Sequence, residues 1–325
     1  MTISSDKLKP DWAGTDLLSR VVNLLIKTKP IYSVMQHQAR QVLIKTAEKN
    51  NIPWRQNYKE LENSPVKDLL TSFTDEEIVY PDYYQVPFHA YDQGNLCWEA
   101  AFEAPSATHS MGLRVWKNED ITWQEAQQRL RHSFYQKLEQ YIPKTITDIL
   151  DLGCSVGIST LELHRYFVQK QNKEISTVGL DLSPYMLSVA KTLDQKKEIT
   201  KWVHGLGEST KFADNSFDLV TLQFVVHELP RHATTKIFQE VLRILKPGGV
   251  IGIVDNNPAS PVIQNLPPVL FTLMKSTEPW SDDYYTFDVE KAMTTTGFDY
   301  QATVASDPRH RTIIGTKPQI SVSKY

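Results

Sequence analysis

The residues best suited to ligand chemistry follow an apolar run in the second half of the chain. Residues 148–157, DILDLGCSVG, have the pattern of a buried strand that passes through a tight turn into a helix. Gly153 and Gly157 allow backbone to approach a ligand closely, and the first N–H groups of the next helix are free to bind it. The segment therefore predicts an adenosine-type binding turn. A dinucleotide fingerprint also requires glycine at positions 155 and 158, where this chain has Ser155 and Ile158, so a nicotinamide oxidoreductase is disfavoured.

A second candidate lies at the end of the next apolar run. Residues 178–184, VGLDLSP, place Asp181 where a parallel strand would end at the carboxyl edge of a sheet. The two oxygens of its side chain can accept hydrogen bonds from both hydroxyls of a ribose. The alternative is that Asp181 only caps the helix that follows.

These segments, with residues 204–220 and with KPGG at 246–249, resemble in order the class I S-adenosylmethionine-dependent methyltransferases, in their UbiE-like branch. The first motif of that family runs acidic-Leu-Gly-Cys-Gly-x-Gly, and Ser155 replaces its middle glycine. Leu206 stands where the family commonly has an aspartate for adenine, so Gly207 or Glu208 would recognise the base. The resemblance implies S-adenosyl-L-methionine as cofactor, bound by Asp151, Gly153, Cys154, Ser155, Gly157, Asp181, Leu182, Gly207, Glu208 and Gln223.

The flanking segments, PFHAYDQGNLCWEAA and KSTEPWSDDYY, resemble those of a cyanobacterial and plastid group of such enzymes. The expected reaction is methyl transfer to a small, partly apolar organic acceptor at an oxygen, nitrogen or carbon atom. An in-line displacement chiefly needs alignment of the acceptor and exclusion of water. An acceptor hydroxyl would also need a base, for which we consider His227 and His310. Alternatively, His227 caps a helix and His310 lies in a solvated turn.

The segment after the fifth predicted strand concentrates large and acidic side chains. We predict an acceptor-binding wall there, formed by Glu278, Trp280, Tyr284 and Tyr285, with an apolar contribution from Leu270, Phe271, Leu273 and Met274. An ordinary helix packed on the sheet, followed by a polar loop, is the alternative.

The elements that must position these residues alternate along the chain. Strands are predicted near residues 148–152, 176–181, 202–206, 217–225 and 249–255, with helices at 157–170, 184–194 and 233–246. We expect an α/β fold, a Rossmann-like doubly wound sheet that is mostly parallel and ends in an antiparallel hairpin. Thr122 and Glu125 form a capping box ahead of a further helix.

The first part of the chain predicts an N-terminal helical and irregular cap. Residues 1–75 show helical spacing, while residues 78–116 are aromatic and broken by prolines and a glycine, which predicts an irregular segment, either a lid over the sheet edge or a strut. The expected division is a cap at 1–120, the methyltransferase domain at 121–318 and a tail at 319–325.

Composition limits the remaining classes of function. The chain has 325 residues, 41% of them hydrophobic, and a formal net charge of −3, which disfavours nucleic acid as a partner. No leader, membrane span or cysteine pattern for a metal is evident, so we expect a soluble cytoplasmic protein without a metal. Exposed aromatics could alternatively serve a homodimer interface. An NAD(P)-dependent oxidoreductase and a catalytically silent S-adenosylmethionine-binding protein remain the competing hypotheses.

Overall fold

The apolar runs predicted as strands form one sheet in a computed structural model, which describes residues 40–89, 91–267 and 277–319. In the described part the sheet has seven strands in the order β3-β2-β1-β4-β5-β7-β6. The strands are β1 (Asp148–Leu152), β2 (Ser176–Asp181), β3 (Lys201–His204), β4 (Phe217–Gln223), β5 (Leu245–Asn256), β6 (Asp299–Ala305) and β7 (His310–Thr316). The first five are parallel, and β7 runs antiparallel between β5 and β6. The predicted fold class is confirmed.

The three helices predicted at 157–170, 184–194 and 233–246 are present, with ends that differ by at most two residues. Helices of the described part include α1 (Trp54–Glu62), α2 (Leu70–Phe73), α3 (Trp98–Val115), α4 (Trp123–Leu138), α5 (Ile158–Gln171), α6 (Pro184–Leu193), α7 (Arg231–Ile244), α8 (Pro261–Gln264), α9 (Ser281–Tyr285) and α10 (Val289–Thr296). The predicted capping box is present at the start of α4, where Thr122 and Glu125 each bond the other's backbone.

Helices cover both faces of the sheet because successive strand residues point to opposite sides. In β1, Ile149 packs with α4 and α5 residues such as Phe134 and Phe167. Its neighbour Leu150 belongs instead to the cluster that contains Val241 of α7. Burial on both faces explains why the central strands are continuous apolar runs rather than alternating ones. The carboxyl ends of the parallel strands thereby meet at one edge of the sheet.

The aromatic segment differs from its prediction. We expected residues 78–116 to be irregular throughout, but α3 occupies Trp98–Val115 with Pro105 inside it. A proline in a helix interior removes a hydrogen bond and costs about 3 kcal/mol. The helix forms nevertheless because it buries Phe102 and Ala101 almost completely. The free energy gained by burying these side chains outweighs the local penalty of the proline. The rule that proline ends a helix does not anticipate this outcome.

The cap is attached to the sheet domain by apolar contacts. Phe102 of α3 and Val66 lie in one cluster with Met186 and Val189 of α6. The predicted division of the chain near residue 120 stays a prediction. The predicted helical residues Leu17, Leu18, Val21, Val22 and Leu25, the side chains Leu270, Phe271, Leu273 and Met274, and tail residues 320–325 lie outside the described residues.

We predict that Gly179→Ala destabilises the fold. A Cβ atom at this β2 position would lie 2.5 Å from Trp202 Cζ3 and 3.0 Å from Cys154 Sγ, both held in the core. We expect a loss of about 1–3 kcal/mol in the free energy of unfolding, measured with urea. Gly205→Ala is the matched control, because its Cβ would come no closer to another residue than 3.1 Å, from Leu180 Cδ1. Equal losses in both variants would contradict this packing analysis.

Candidate functional site

The glycine turn after β1 has the backbone that its sequence predicts. Gly153, Ser155 and Gly157 all have positive φ, at 76°, 47° and 77°. A Cβ at Gly153 would lie 2.6 Å from Val225 Cγ2, and one at Gly157 would lie 2.4 Å from the Trp202 ring. Glycine is thus required at both positions. Ser155 adopts a left-handed conformation that L residues other than Asn and Asp seldom take, so this turn stores some strain.

Asp181 connects this turn to the neighbouring strand. The backbone N–H of Ser155 donates to Asp181 Oδ2 at 2.7 Å, and that of Ser183 donates to Oδ1 at 2.8 Å. Each carboxylate oxygen can accept a further hydrogen bond. Burial raises the pKa of Asp181 to about 6, against the opposing effect of the backbone donors. The side chain is therefore ionised at neutral pH and has acceptor capacity for the two hydroxyls of a ribose.

Asp151, the carboxylate inside the first motif, is more fully occupied. It accepts hydrogen bonds from Thr160 and Thr221, both at 2.7 Å, and from Gln223 Nε2 at 3.2 Å. Its side chain is 1% exposed. These bonds brace β1 against α5 and β4 and hold Gln223 with it. In this structure the Asp151 and Gln223 side chains stabilise the strands that carry the turn. Their contacts with a cofactor stay predictions.

Three further predicted cofactor residues lie beside the turn. The Cys154 side chain is buried in an apolar cluster with Trp202 and Leu187, which leaves its backbone for a ligand. The carbonyl of Leu182 lies 3.0 Å from His204 Nε2. Gly207 packs tightly against Leu152 at the end of β1. Their contacts with a cofactor stay predictions.

Glu208 has a partner that the sequence did not indicate. Tyr83, from the aromatic segment, donates its hydroxyl to Glu208 Oε1 at 2.7 Å. Burial raises the pKa of the Tyr83 hydroxyl, and the nearby Glu208 carboxylate raises it further. Glu208 therefore anchors the segment that passes over the edge, and recognition of adenine by its side chain would have to share that bond.

The aromatic segment lies across the carboxyl edge of the sheet. Besides Tyr83, the carbonyl of Asn95 accepts from Ser183 Oγ at 2.6 Å, and the N–H of His89 donates to the carbonyl of Thr277 at 2.9 Å. Trp280 Nε1 donates to the carbonyl of Tyr83 at 3.2 Å. The segment thus joins the turn beside Asp181 to the predicted acceptor wall, and its role as a lid or as a strut stays a prediction.

His227 is held in an ion pair rather than left free as a base. Its Nδ1 lies 2.8 Å from Asp255 Oδ1, and its backbone N–H donates to Asp255 Oδ2 at 3.1 Å. Burial lowers the pKa of His227, but Asp255 and the neighbouring carboxylates outweigh it and raise the pKa to about 10. At neutral pH the imidazole is thus protonated and serves as a hydrogen-bond donor.

Glu228 is a titratable neighbour of His227 to which the sequence analysis assigned no chemical role. Burial raises the pKa of its carboxyl to about 8, although the His227 cation opposes the shift. A group that titrates near neutral pH is suited to proton transfer. The available signal was its position in the loop that follows β4, on the same carboxyl edge as His227. Asp255, at the end of β5, is likewise placed at the carboxyl edge by its position in the sequence.

His310 lies apart from a free acceptor surface. It is 2% exposed, its Nδ1 lies 2.8 Å from Asp307 Oδ2, and its ring packs edge-on against Phe224 at 5.0 Å between centroids. His310 therefore does not lie in a solvated turn, which was the alternative considered from the sequence. A direct role of His310 in chemistry stays a prediction.

Part of the predicted acceptor-binding wall belongs to the hydrophobic core. Tyr284 and Tyr285 are 1% and 4% exposed, and the Tyr284 hydroxyl donates to the carbonyl of Asn256. The Tyr284 ring lies edge-on to His227 at 6.2 Å between centroids, so the structure does bring these two predictions together. Trp280 is half-buried, and Glu278 accepts from Ser281 Oγ at 3.1 Å. Their contact with an acceptor stays a prediction.

No group of three or more His, Cys, Asp or Glu side chains arranged for a metal occurs among the described residues. Within the same ranges, no helix is long and apolar enough to cross a membrane.

Comparison with known proteins identifies the central region. Residues 150–253 match the family described as a methyltransferase domain. A demethylmenaquinone methyltransferase of Shouchella clausii is 30% identical over 141 residues, which cover 42% of this chain and 57% of the relative. One from Staphylococcus aureus is 33% identical over 121 residues, 37% of this chain and 48% of the relative. The chain thus spans about half the length of the curated relatives it matches.

Among solved structures, a SAM-dependent methyltransferase from Aquifex aeolicus aligns with a TM-score of 0.46 and 17% identity, over 63% of this chain and 98% of that one. The matched region 150–253 contains the glycine turn, Asp181 and strands β2, β3 and β4. Residues 150–253, which contain the turn, are therefore similar to a methyltransferase domain.

Proposed function

We propose that this protein transfers a methyl group from S-adenosyl-L-methionine to a small, partly apolar organic acceptor at the carboxyl edge of the sheet. The observation that carries the proposal is the glycine turn whose Ser155 N–H holds the Asp181 carboxylate at 2.7 Å. Such a turn and carboxylate suit an adenosine ribose at the end of β2. The bound cofactor supplies an electrophilic methyl group on a sulfonium, with a neutral thioether as the leaving group.

The chain's own residues then have distinct tasks. The aromatic segment, anchored by Tyr83 on Glu208, covers the edge and excludes water. His227, protonated beside Asp255, donates a hydrogen bond and favours an acceptor oxygen that carries negative charge. Glu228 can take a proton once its carboxyl is ionised, which requires a pH near or above 8.

The acceptor class is suggested by these groups together. A cationic donor and a nearby base suit an ionisable hydroxyl, as in a phenol or a hydroquinone, whether the methyl goes to that oxygen or to a ring carbon that it activates. The matched relatives are named for demethylmenaquinone. Quinols and phenols are therefore the first acceptors to screen.

The setting of the reaction is also a proposal. The net charge of −3 supports a small molecule rather than nucleic acid as acceptor. We propose a cytoplasmic protein, and a homodimer as one use of its exposed apolar side chains.

Binding of the cofactor is the first prediction. We expect micromolar binding of S-adenosylmethionine and S-adenosylhomocysteine by isothermal titration, no binding of NADH, and at least a tenfold loss in Asp181→Ala. Asp68→Ala, which removes an exposed carboxylate, is the control and should bind as the parent protein does. NADH binding alone would restore the oxidoreductase hypothesis. Cofactor binding without turnover of any screened acceptor would favour the silent binding protein.

The same titration should depend on pH through Asp181. Its carboxyl has a folded pKa of about 6, so lowering the pH through 6 protonates it and removes acceptor capacity for the ribose. We expect the affinity for S-adenosylhomocysteine to fall by up to tenfold per pH unit below 6 in the parent protein. In Asp181→Asn this dependence should vanish, and an unchanged pH profile in that variant would contradict the assignment.

The rate of methyl transfer to a phenolic acceptor should follow a bell-shaped pH profile. The limb that rises with pH reflects ionisation of Glu228 near 8, and the falling limb reflects loss of the His227 proton near 10. We expect Glu228→Gln to flatten the rising limb and His227→Asn to flatten the falling limb, with kcat/KM reduced about 10²-fold or more in each. A profile unaltered by both substitutions would remove these residues from the chemistry.

A further inference from the structure

An arginine at the end of α3 has no role in the features described so far. Arg114 lies in the last turn of that helix, and it forms no hydrogen bond or ion pair with a described residue. Its side chain is exposed, yet the surrounding protein desolvates it and lowers its pKa, and the charge of Arg309 lowers the pKa further. A side chain that is both exposed and desolvated lines a recess rather than an open surface.

The direction of α4 shows which edge of the sheet this recess borders. Leu138, at the end of α4, packs at Gly252 in the middle of β5. Two turns earlier in the helix, the guanidinium carbon of Arg131 lies 5.4 Å from the centroid of the ring of Phe224, which follows β4. The helix therefore runs antiparallel to the strands, and its first turns lie at the carboxyl edge.

The last turns of α3 pack on these first turns of α4. A Cβ atom at Gly112 would lie 3.0 Å from the backbone of Ala126, and the rings of His109 and Trp123 stack at 4.2 Å between centroids. Arg114 follows Gly112 by two residues. The packing of the two helices thus brings Arg114 to the carboxyl edge of the sheet.

Arg309 reaches the same edge from the hairpin between β6 and β7. Its Nε donates to Asn256 Oδ1 at 3.1 Å, and its carbonyl accepts from the N–H of Asn257 at 2.9 Å. Asn256 directly follows Asp255, the partner of His227. The two Nη nitrogens of Arg309 form no hydrogen bond with a described residue and stay available to a ligand.

The cations around this recess exceed the carboxylates that face them. Arg114, Arg309 and the protonated His227 carry positive charge. Asp255 neutralises His227 in an ion pair. Glu278 raises the pKa of Arg114, but it does so through space and not through an ion pair. One positive charge is therefore left without a counter-charge.

The other two titratable groups at the recess do not supply that counter-charge. Burial raises the pKa of Glu228 to about 8, so its carboxyl is mostly protonated at neutral pH. His89 is neutral, because burial lowers its pKa to about 3, and the nearby charges of His227 and Arg114 lower it as well. A ligand with one negative charge would balance the recess. A phosphate monoester carries about −1.5 to −2 at pH 7 and suits it less well than a carboxylate does.

We propose that the methyl acceptor is a hydroxy-aromatic acid whose carboxylate binds Arg114 and the free Nη groups of Arg309, with its hydroxyl at His227. This inference rests on the proposed function and names a second polar group of the acceptor. Guanidinium groups present planar pairs of donors that match the two oxygens of a carboxylate. A carboxylate held there fixes the ring at one end, so the hydroxyl at the other end is oriented towards the bound cofactor.

The test compares probes that differ in this charge alone. Isothermal titration in the presence of S-adenosylhomocysteine would measure 4-hydroxybenzoate against 4-hydroxybenzamide, and 3-hydroxy-2-naphthoate against 3-hydroxy-2-naphthamide. We expect the parent protein to bind at least one of the acids about tenfold or more tightly than its amide, because charge-assisted hydrogen bonds contribute most when both partners are ionised. Arg114→Met should lose that preference.

Three further variants serve as controls. Arg129→Met removes an exposed arginine of α4, which pairs with Glu119, and should keep the full preference for the acid. Arg309→Met should reduce the preference. Arg114→Lys keeps the charge without the planar donors and should retain only part of it, and this variant is the test if Arg114→Met fails to fold. Affinity for S-adenosylhomocysteine within about twofold of the parent shows that a variant is folded.

Some outcomes would overturn the assignment while leaving the proposed function intact. These are equal affinity of the parent protein for each acid and its amide, no binding of either acid to the protein loaded with S-adenosylhomocysteine, or a full preference for the acid in both Arg114 variants. If S-adenosylhomocysteine itself does not bind the parent protein, the proposed function fails, and the assignment fails with it.

Discussion

The site depends on one hydrogen bond between two strand ends, from the Ser155 N–H to the Asp181 carboxylate. It can form only because Gly153 and Gly157 let the chain turn sharply between Val225 and Trp202. The bond fixes the turn after β1 against the end of β2. The backbone of the turn and the carboxylate oxygens of Asp181 are therefore held in fixed positions relative to each other. Together with the backbone N–H of Ser183, the bond also opposes the burial that raises the pKa of this carboxylate.

The charged groups at the edge divide into satisfied and unsatisfied ones. Asp151 is bonded by three side chains and acts within the scaffold, and His227 is neutralised by Asp255. Asp181 retains acceptor capacity, and Arg131 has donors without partners. The remaining acceptor capacity of Asp181 marks where the hydroxyls of a ligand would bind.

The N-terminal cap also contacts the carboxyl edge of the sheet. The aromatic segment is tied to the domain at Glu208, Ser183 and Thr277, which lie on three different loops. These hydrogen bonds add to apolar contacts, since Tyr83 packs against the main core cluster and Trp98 packs edge-on against Tyr185 of α6. The segment is therefore held to the domain by both kinds of contact.

The sequence by itself determined the central sheet, the helices that follow its strands and the glycine turn. These rest on local signals: buried strands as continuous apolar runs, a capping box at Thr122, and glycines where only glycine fits. The tertiary structure alone decided the rest. Helix α3 forms through Pro105 because packing of Phe102 outweighs a local penalty. Contacts between residues distant in sequence decide the pair of His227 with Asp255, the partners of Asp151 and the unpaired donors of Arg131. The pKa values of these groups and their hydrogen bonding depend on burial, which cannot be read from the order of the residues.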